Sequence, residues 1–241
     1  MNFFGRKRAS VMLVRAWCSP FGEDGPAGEL LALVDQVLAS LVAKPLEGSI
    51  NFGYTQPMSS LRRALAKMRP VQLDALEVRD ESGEVICSFG AEGASVGDRA
   101  RAFEIFALLP PASDTAQDRL LQLLMRHHMH YGYARALGPD FNAVSETPLK
   151  RGFFGAEIEV DGGRADWLVP EADVRAGAVR GLYPANVFSA IGLARLAGSG
   201  LRLPSSAPAL GDQLWRPSAA ERAEFLRLNP AYRAYLHFGD D

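Results

Sequence analysis

The chain has 241 residues, 48% of them hydrophobic and 22% charged, and a formal net charge of -2. That length is enough for one large domain or two small ones with a sizeable core, and the near balance of 26 basic and 28 acidic side chains excludes coating a nucleic acid by bulk charge. The early basic cluster Arg6-Lys7-Arg8 precedes only a short apolar run, Val11 to Cys18, interrupted by Arg15. Neither a secretory leader nor a span of ~20 apolar residues is read, so the expectation is a cytoplasmic protein with no membrane partner. Cys18 and Cys87 lie in apolar, strand-like segments and are expected to be buried free thiols, although they would be able to pair in an oxidising compartment.

In chain order, Ser10 to Trp17 has the apolar, β-branched character of a strand ending at the turn-forming Ser19-Pro20 and Gly25-Pro26. Leu30, Leu31, Val34, Val37, Leu38, Leu41 and Val42 then recur at helical spacing, predicting a helix over 27–43 whose apolar stripe covers a sheet. A shorter helix carries Leu61, Ala64, Leu65 and Met68, with Ser59 or Ser60 as N-cap and Pro70 as stop. From Leu76 the period turns to two, and the polar loop Asp80 to Gly83 predicts a hairpin over 76–89; Arg101 to Leu109 reads as the next strand. Asp114 with Gln117 has the spacing of a capping box at the head of a helix over 115–130, and Tyr131 to Leu137 reads as a strand.

The second half continues with an irregular region from Gly138 to Gly155. A second hairpin is expected over 157–169 around Asp161-Gly162-Gly163-Arg164. Val179 to Tyr183 reads as a strand stopped by Pro184, with Asn186 or Ser189 capping a helix to Ala197. Leu201 to Gly211 is expected to be a loop, and Ser218 with Glu221 to cap a helix to Leu228, before a last helical turn begun by Asn229-Pro230. Strands and helices that segregate in this way predict an α+β protein of mixed or antiparallel sheets covered by amphipathic helices, in two half-domains, 1–112 and 113–241, packed as one unit.

Three patterns invite chemistry. Gly93-Ala94-Ser95-Val96-Gly97 fits the G-x-S-x-G turn of hydrolases, with His237 and one of Asp140, Asp166 or Asp173 downstream, but a strand follows it where that turn needs a helix. His127 and His130, with His128 between them, stand at i, i+3 of a predicted helix end; no third or fourth ligand accompanies them, and histidines at a helix C-terminus meet the dipole favourably, so no metal site is assigned. Phosphate-cradling glycine loops are absent, and no cofactor is expected. Asp140, Glu146, Glu157, Glu159, Asp161 and Asp166 form a denser acidic stretch, read either as a solvated hairpin face or as steering charge for a basic protein. Most of the second-half aromatics read as core; Phe153-Phe154, flanked by glycines, read either as core or as an exposed anchor.

Two segments, Tyr131-Gly132-Tyr133-Ala134 leading to Glu146 and Arg151-Gly152-Phe153-Phe154-Gly155, and Gly181-Leu182-Tyr183-Pro184-Ala185-Asn186-Val187-Phe188, resemble parts of bacterial immunity proteins that neutralise interbacterial toxins of the polymorphic or type VI secreted kind. The resemblance implies a cytoplasmic protein that occludes a cognate toxin stoichiometrically and performs no chemistry. The expected partner contacts come from the acidic, aromatic, loop-rich region between Asp140 and Trp167 rather than from the resemblance: Glu146, Phe153, Phe154, Glu157 and Asp166. A Ser95-centred or other hydrolase, and a structural or adaptor protein, are the competing expectations.

Overall fold

The apolar run starting at Val11 becomes β1 (Val11–Cys18), the strand on which the rest is assembled. The computed structural model describes residues 10–19, 21, 25–41, 43–91, 103–111, 114–143, 146–151, 157–159, 182–190, 193–194, 202–208, 211 and 213–229. After β1 come α1 (Glu29–Leu38), β2 (Glu47–Ile50), β3 (Gln56–Pro57), α2 (Met58–Leu65), a 3-10 turn (Pro70–Gln72), β4 (Ala75–Arg79), β5 (Val85–Ala91) and β6 (Phe103–Leu109). The second half supplies α3 (Asp114–Met125), β7 (Met129–Leu137), β8 (Phe141–Asn142), β9 (Thr147–Arg151), β10 (Glu157–Glu159), β11 (Ala185–Phe188), β12 (Gln213–Trp215) and α4 (Ala219–Leu228).

Nine strands form one sheet in the order β12-β11-β7-β1-β6-β5-β4-β2-β3, and β10-β9-β8 form a smaller one. Every neighbouring pair is antiparallel. The fold is thus α+β, with the expected hairpin over 76–89 present as β4 and β5 and extended by β6 into a meander. The large sheet crosses the division at residue 112, because β1 pairs with β6 on one side and with β7 on the other.

The period of two along β1 sorts its side chains onto two faces. Met12, Val14, Ala16 and Cys18 face α1, α2 and α3 and share a core with Leu30, Leu33, Val34, Val37, Leu61, Leu65, Leu120, Leu121 and Leu124. Burying a leucine of this kind contributes about 2 kcal/mol, so the three helical stripes are the main reason the helices lie on that face. Leu13, Arg15 and Trp17 point to the opposite face, where Phe106, Tyr131, Tyr133, Tyr183, Phe188, Trp215 and Phe225 of α4 gather.

Local chemistry sets the helix ends. Gly28 precedes α1 in a left-handed conformation at φ 99°, which costs a glycine little. In α3, which begins at Asp114 itself rather than after it, the Gln117 side-chain Nε2 donates to Asp114 Oδ1 at 2.7 Å. Ahead of α4, Ser218 Oγ accepts from the Glu221 amide and Glu221 Oε2 from the Ser218 amide, the reciprocal capping box expected there.

Several elements differ from expectation. α2 starts at Met58 after Pro57, which places Ser59 and Ser60 inside the first turn rather than at the cap. α3 stops at Met125; His128 takes a left-handed φ of 51°, and β7 begins at Met129. Leu182 and Tyr183, the described end of the strand expected over 179–183, are not in a strand; β11 follows Pro184 and holds Asn186, whereas Ser189, the other residue read as a cap, directly precedes a helical residue and its carbonyl accepts from the Leu193 amide at 2.9 Å. Ala185 and Val187 face the helices while Phe188 joins the aromatic face, a period of two that outweighs the capping chemistry of Asn186. The region read as irregular holds β8 and β9, and β10 pairs with β9; residues 165–169, its expected partner, lie outside the described residues.

Candidate functional site

On the second face of the large sheet, two arginines interrupt otherwise apolar strands at positions of aromatic parity. Arg15 of β1 lies opposite Phe106 of β6 and Tyr133 of β7, and Arg135 of β7 lies opposite Leu13. Both are buried, as is the Glu146 carboxylate between them, which is fully enclosed. Glu146 Oε1 accepts from the Tyr133 hydroxyl at 2.6 Å and pairs with Arg15 Nε at 3.2 Å, while Oε2 pairs with Arg135 Nη1 at 3.3 Å. Arg15 Nη1 also holds the partly exposed Glu104 at 2.6 Å. Two buried guanidinium groups thus share one buried carboxylate, with the partly exposed Glu104 as a second counter-ion to Arg15, a pairing that makes burial of these charges tolerable.

Aromatic rings wall this cluster. Tyr133 stacks on Tyr183 with centroids 3.9 Å apart, and the Arg135 guanidinium lies 5.5 Å from the centre of the Tyr183 ring. Beside it a ladder crosses four strands: Trp17 on Tyr131 at 5.6 Å, Tyr131 on Phe188 at 5.4 Å, and Phe188 on Trp215 at 6.1 Å. Asn186 closes the turn before β11, its side chain accepting from the Tyr183 amide at 2.9 Å and donating to the Tyr183 carbonyl at 2.5 Å. Arg135 Nε and Nη2 and the Trp17 indole nitrogen make no hydrogen bond among the described residues.

The predicted contact residues separate in this frame. Glu146 is interior, with a φ of 54°, so its carboxylate is a counter-ion for two arginines and has no exposed surface for a partner. The sequence pattern of acidic residues grouped it with loop charges because the arginines that neutralise it lie outside that stretch, Arg135 on the preceding strand β7 and Arg15 far away in the chain on β1. Glu157 lies in β10. Phe153, Phe154, Asp166 and the Ser95 motif lie outside the described residues, as does His237. No protein-family model matches the chain, and comparison with curated proteins and with solved structures finds no significant match.

The histidines do not share a helical face. His127 follows α3 in a turn, whereas His130 is in β7, and His130 Nε2 lies 2.8 Å from Ser19 Oγ. That contact helps seal the irregularity where the β1–β7 register shifts between Trp17 and Cys18; the Ser19 amide also donates to the His128 carbonyl. Sequence reasoning missed this pair because the two residues are far apart in the chain and meet only once β1 and β7 pair. Among the described residues no group of three or more histidine, cysteine or acidic side chains is arranged to hold a metal ion. Cys18 and Cys87 are buried free thiols, and burial pushes both well above the usual thiol range, which leaves them unreactive.

Chemically, the cluster is a buried set of ion pairs. The Glu146 carboxylate accepts from both guanidinium groups and from the Tyr133 hydroxyl, while Arg135 Nε and Nη2 are left over among the described residues. Such an arrangement holds a fold in register rather than activating a nucleophile.

Proposed function

We propose that this chain is an immunity-type protein that binds a cognate secreted bacterial toxin, of the polymorphic or type VI secreted kind, in the cytoplasm and neutralises it by stoichiometric occlusion. The observation that carries this reading is the meeting of the two segments on which the resemblance to immunity proteins rests. Tyr133 of the first segment stacks on Tyr183 of the second, pairs with Asn186 across β7 and β11, and donates to Glu146. Residues distant in sequence thus form one unit, as a motif must if it is to be more than scattered aromatic residues. Phe153, Phe154, Glu157 and Asp166 remain the second-half contacts of this reading, with buried aromatic anchors and steering charge as their roles.

The test is co-expression with the product of an adjacent toxin-like gene. Rescue of growth together with co-purification of a fixed-ratio complex is the expected result. If neither rescue nor a complex is obtained, the reading fails. A hydrolytic reading has one observation in its favour, the 2.8 Å approach of Ser19 Oγ to His130 Nε2. It requires a fluorophosphonate to label the wild-type chain and to fail on Ser19→Ala; under the immunity reading neither chain is labelled.

A further inference from the structure

Among the described residues the large apolar side chains that stand exposed are Leu46, Phe52, Tyr54 and Val71, all within one stretch of the chain around β2, β3 and α2. Phe52 is 84% and Tyr54 98% exposed. Both belong to the connection between β2 and β3, at an edge of the large sheet. This connection is built with rigidity. Asn51 and Phe52 have φ of 50° and 59°, and the Gly53 amide donates to the Ile50 carbonyl at 2.9 Å, the signature of a type I′ turn.

Asn51 is tied down on four sides. Its amide donates to the Ala75 carbonyl at 2.7 Å, its Nδ2 donates to the Gln72 carbonyl at 2.8 Å, and its Oδ1 accepts from the Asp74 and Ala75 amides at 2.7 and 3.2 Å. The bond to Gln72 brings the 3-10 turn carrying Val71 beside the hairpin. Phe52 therefore holds a left-handed backbone that glycine would adopt without strain, and its ring buries almost nothing in return. A strained, locked position presenting an exposed ring makes no sense for folding; it does for recognition, where a pre-ordered anchor avoids the entropy cost of binding.

The charge around this tip is mostly positive, with Asp74, whose amide is bonded to Asn51, as an exposed acidic exception. No acidic residue occurs from Asn51 to Leu73, whereas Arg62, Arg63, Lys67 and Arg69 do, on a chain whose net charge is -2. α2 packs directly on β2 and β3, and Arg63 and Lys67 are exposed, while Arg62 is engaged with Asp35 at 2.9 Å. A stripe long enough to follow a nucleic acid backbone would need more cations than one helix supplies, and a membrane-lying surface would need an amphipathic helix where this chain offers a hairpin tip.

We infer that the β2–β3 tip is a docking surface for an acidic protein partner, with Phe52 and Tyr54 entering an apolar pocket and Arg63 and Lys67 meeting carboxylates at its rim. The inference rests on the proposed function in taking that partner to be the cognate toxin, and it adds a first-half surface to the second-half contacts.

The purified product of the adjacent toxin-like gene is titrated against the wild-type chain, Phe52→Gly, Tyr54→Ser and the double variant Arg63→Glu/Lys67→Glu. Phe52→Gly is expected to weaken binding about tenfold or more, the loss typical of an anchor, while its melting temperature stays level or rises because glycine relaxes the turn. Tyr54→Ser is expected to weaken binding with unchanged melting. The charge reversal is expected to slow association about tenfold at low salt, with a smaller deficit at high salt. A wild-type complex that Phe52→Gly and Tyr54→Ser leave at full affinity overturns the docking surface and spares the proposed function. Absence of any wild-type complex removes both. Binding of the wild-type chain to anionic lipid vesicles or a single-stranded oligonucleotide that these two variants abolish overturns the protein occupant.

Discussion

Glu146 neutralises two buried guanidinium groups and is itself fully enclosed, so its loss should register as a folding defect. Removing one partner of a buried ion pair costs about 3–5 kcal/mol, because the remaining charges are left uncompensated. Glu146→Ala is expected to show a loss of that order in the urea-unfolding free energy; a loss below about 1 kcal/mol would remove the structural role assigned here. A second residue-scale prediction concerns His127, which is held below the ordinary imidazole value first by burial and then by the positive charge of His128 and Arg126, with Glu29 opposing. The unfolded chain therefore binds the proton before the folded chain does. The stability given by the neutral ring is complete above about pH 6.5 and is lost as pH falls below it. The urea midpoint is expected to drop between about pH 7.5 and 5.5, and His127→Gln to lessen that drop.

At the scale of elements, close backbone approach sets the β2–β4 pair. A Cβ on Gly48 would collide with the Glu77 carbonyl and lie 3.0 Å from Leu61 Cδ2 of α2. Gly48→Ala is thus expected to cost about 1–3 kcal/mol by overpacking and to raise amide exchange selectively in β2, β3 and α2. Unchanged exchange there would mean that the strands separate without cost. The cap of α4 is testable too: Ser218→Ala should cost about 1 kcal/mol. Glu221, its reciprocal partner, is held below the ordinary carboxylate range first by the Ser206 hydroxyl and then by the Ser218 amide and hydroxyl. That part of the cap weakens as pH falls below the ordinary carboxylate value, since protonation removes the acceptor charge.

For the whole molecule, β1 between β6 and β7 is decisive. The fragment 113–241 would carry β7 with β11 but without β1, and 1–112 would leave one edge of β1 open, a hazard for aggregation. Each fragment alone is expected to show no cooperative thermal transition, and the two expressed together to reassemble. Independent folding of either fragment would mean that the cross-sheet pairing is dispensable.

How much of this was legible beforehand follows the range of the interactions involved. Apolar periodicity determined α1, α3, β1 and the β4–β5 hairpin, and capping chemistry determined the start of α4, because those signals lie within a few residues of one another. Short strands escaped for the opposite reason: β2 and β12 are held by distant partners and carry little periodicity of their own. Asn186 and Ser189 were both open as caps from their local chemistry; pairing with Tyr133 across two strands took Asn186 into β11 and left Ser189 ahead of the helical residue 190. The same distinction separates the charges. Acidic residues close in sequence suggested a surface patch, but the antiparallel pairing of β1 with β7 brings Arg15 and Arg135 to Glu146 and turns one member of that patch into a buried counter-ion. The exposed, strained ring of Phe52 is likewise a tertiary outcome, since only the hydrogen bonds of Asn51 to residues 72–75 force the left-handed turn that presents it.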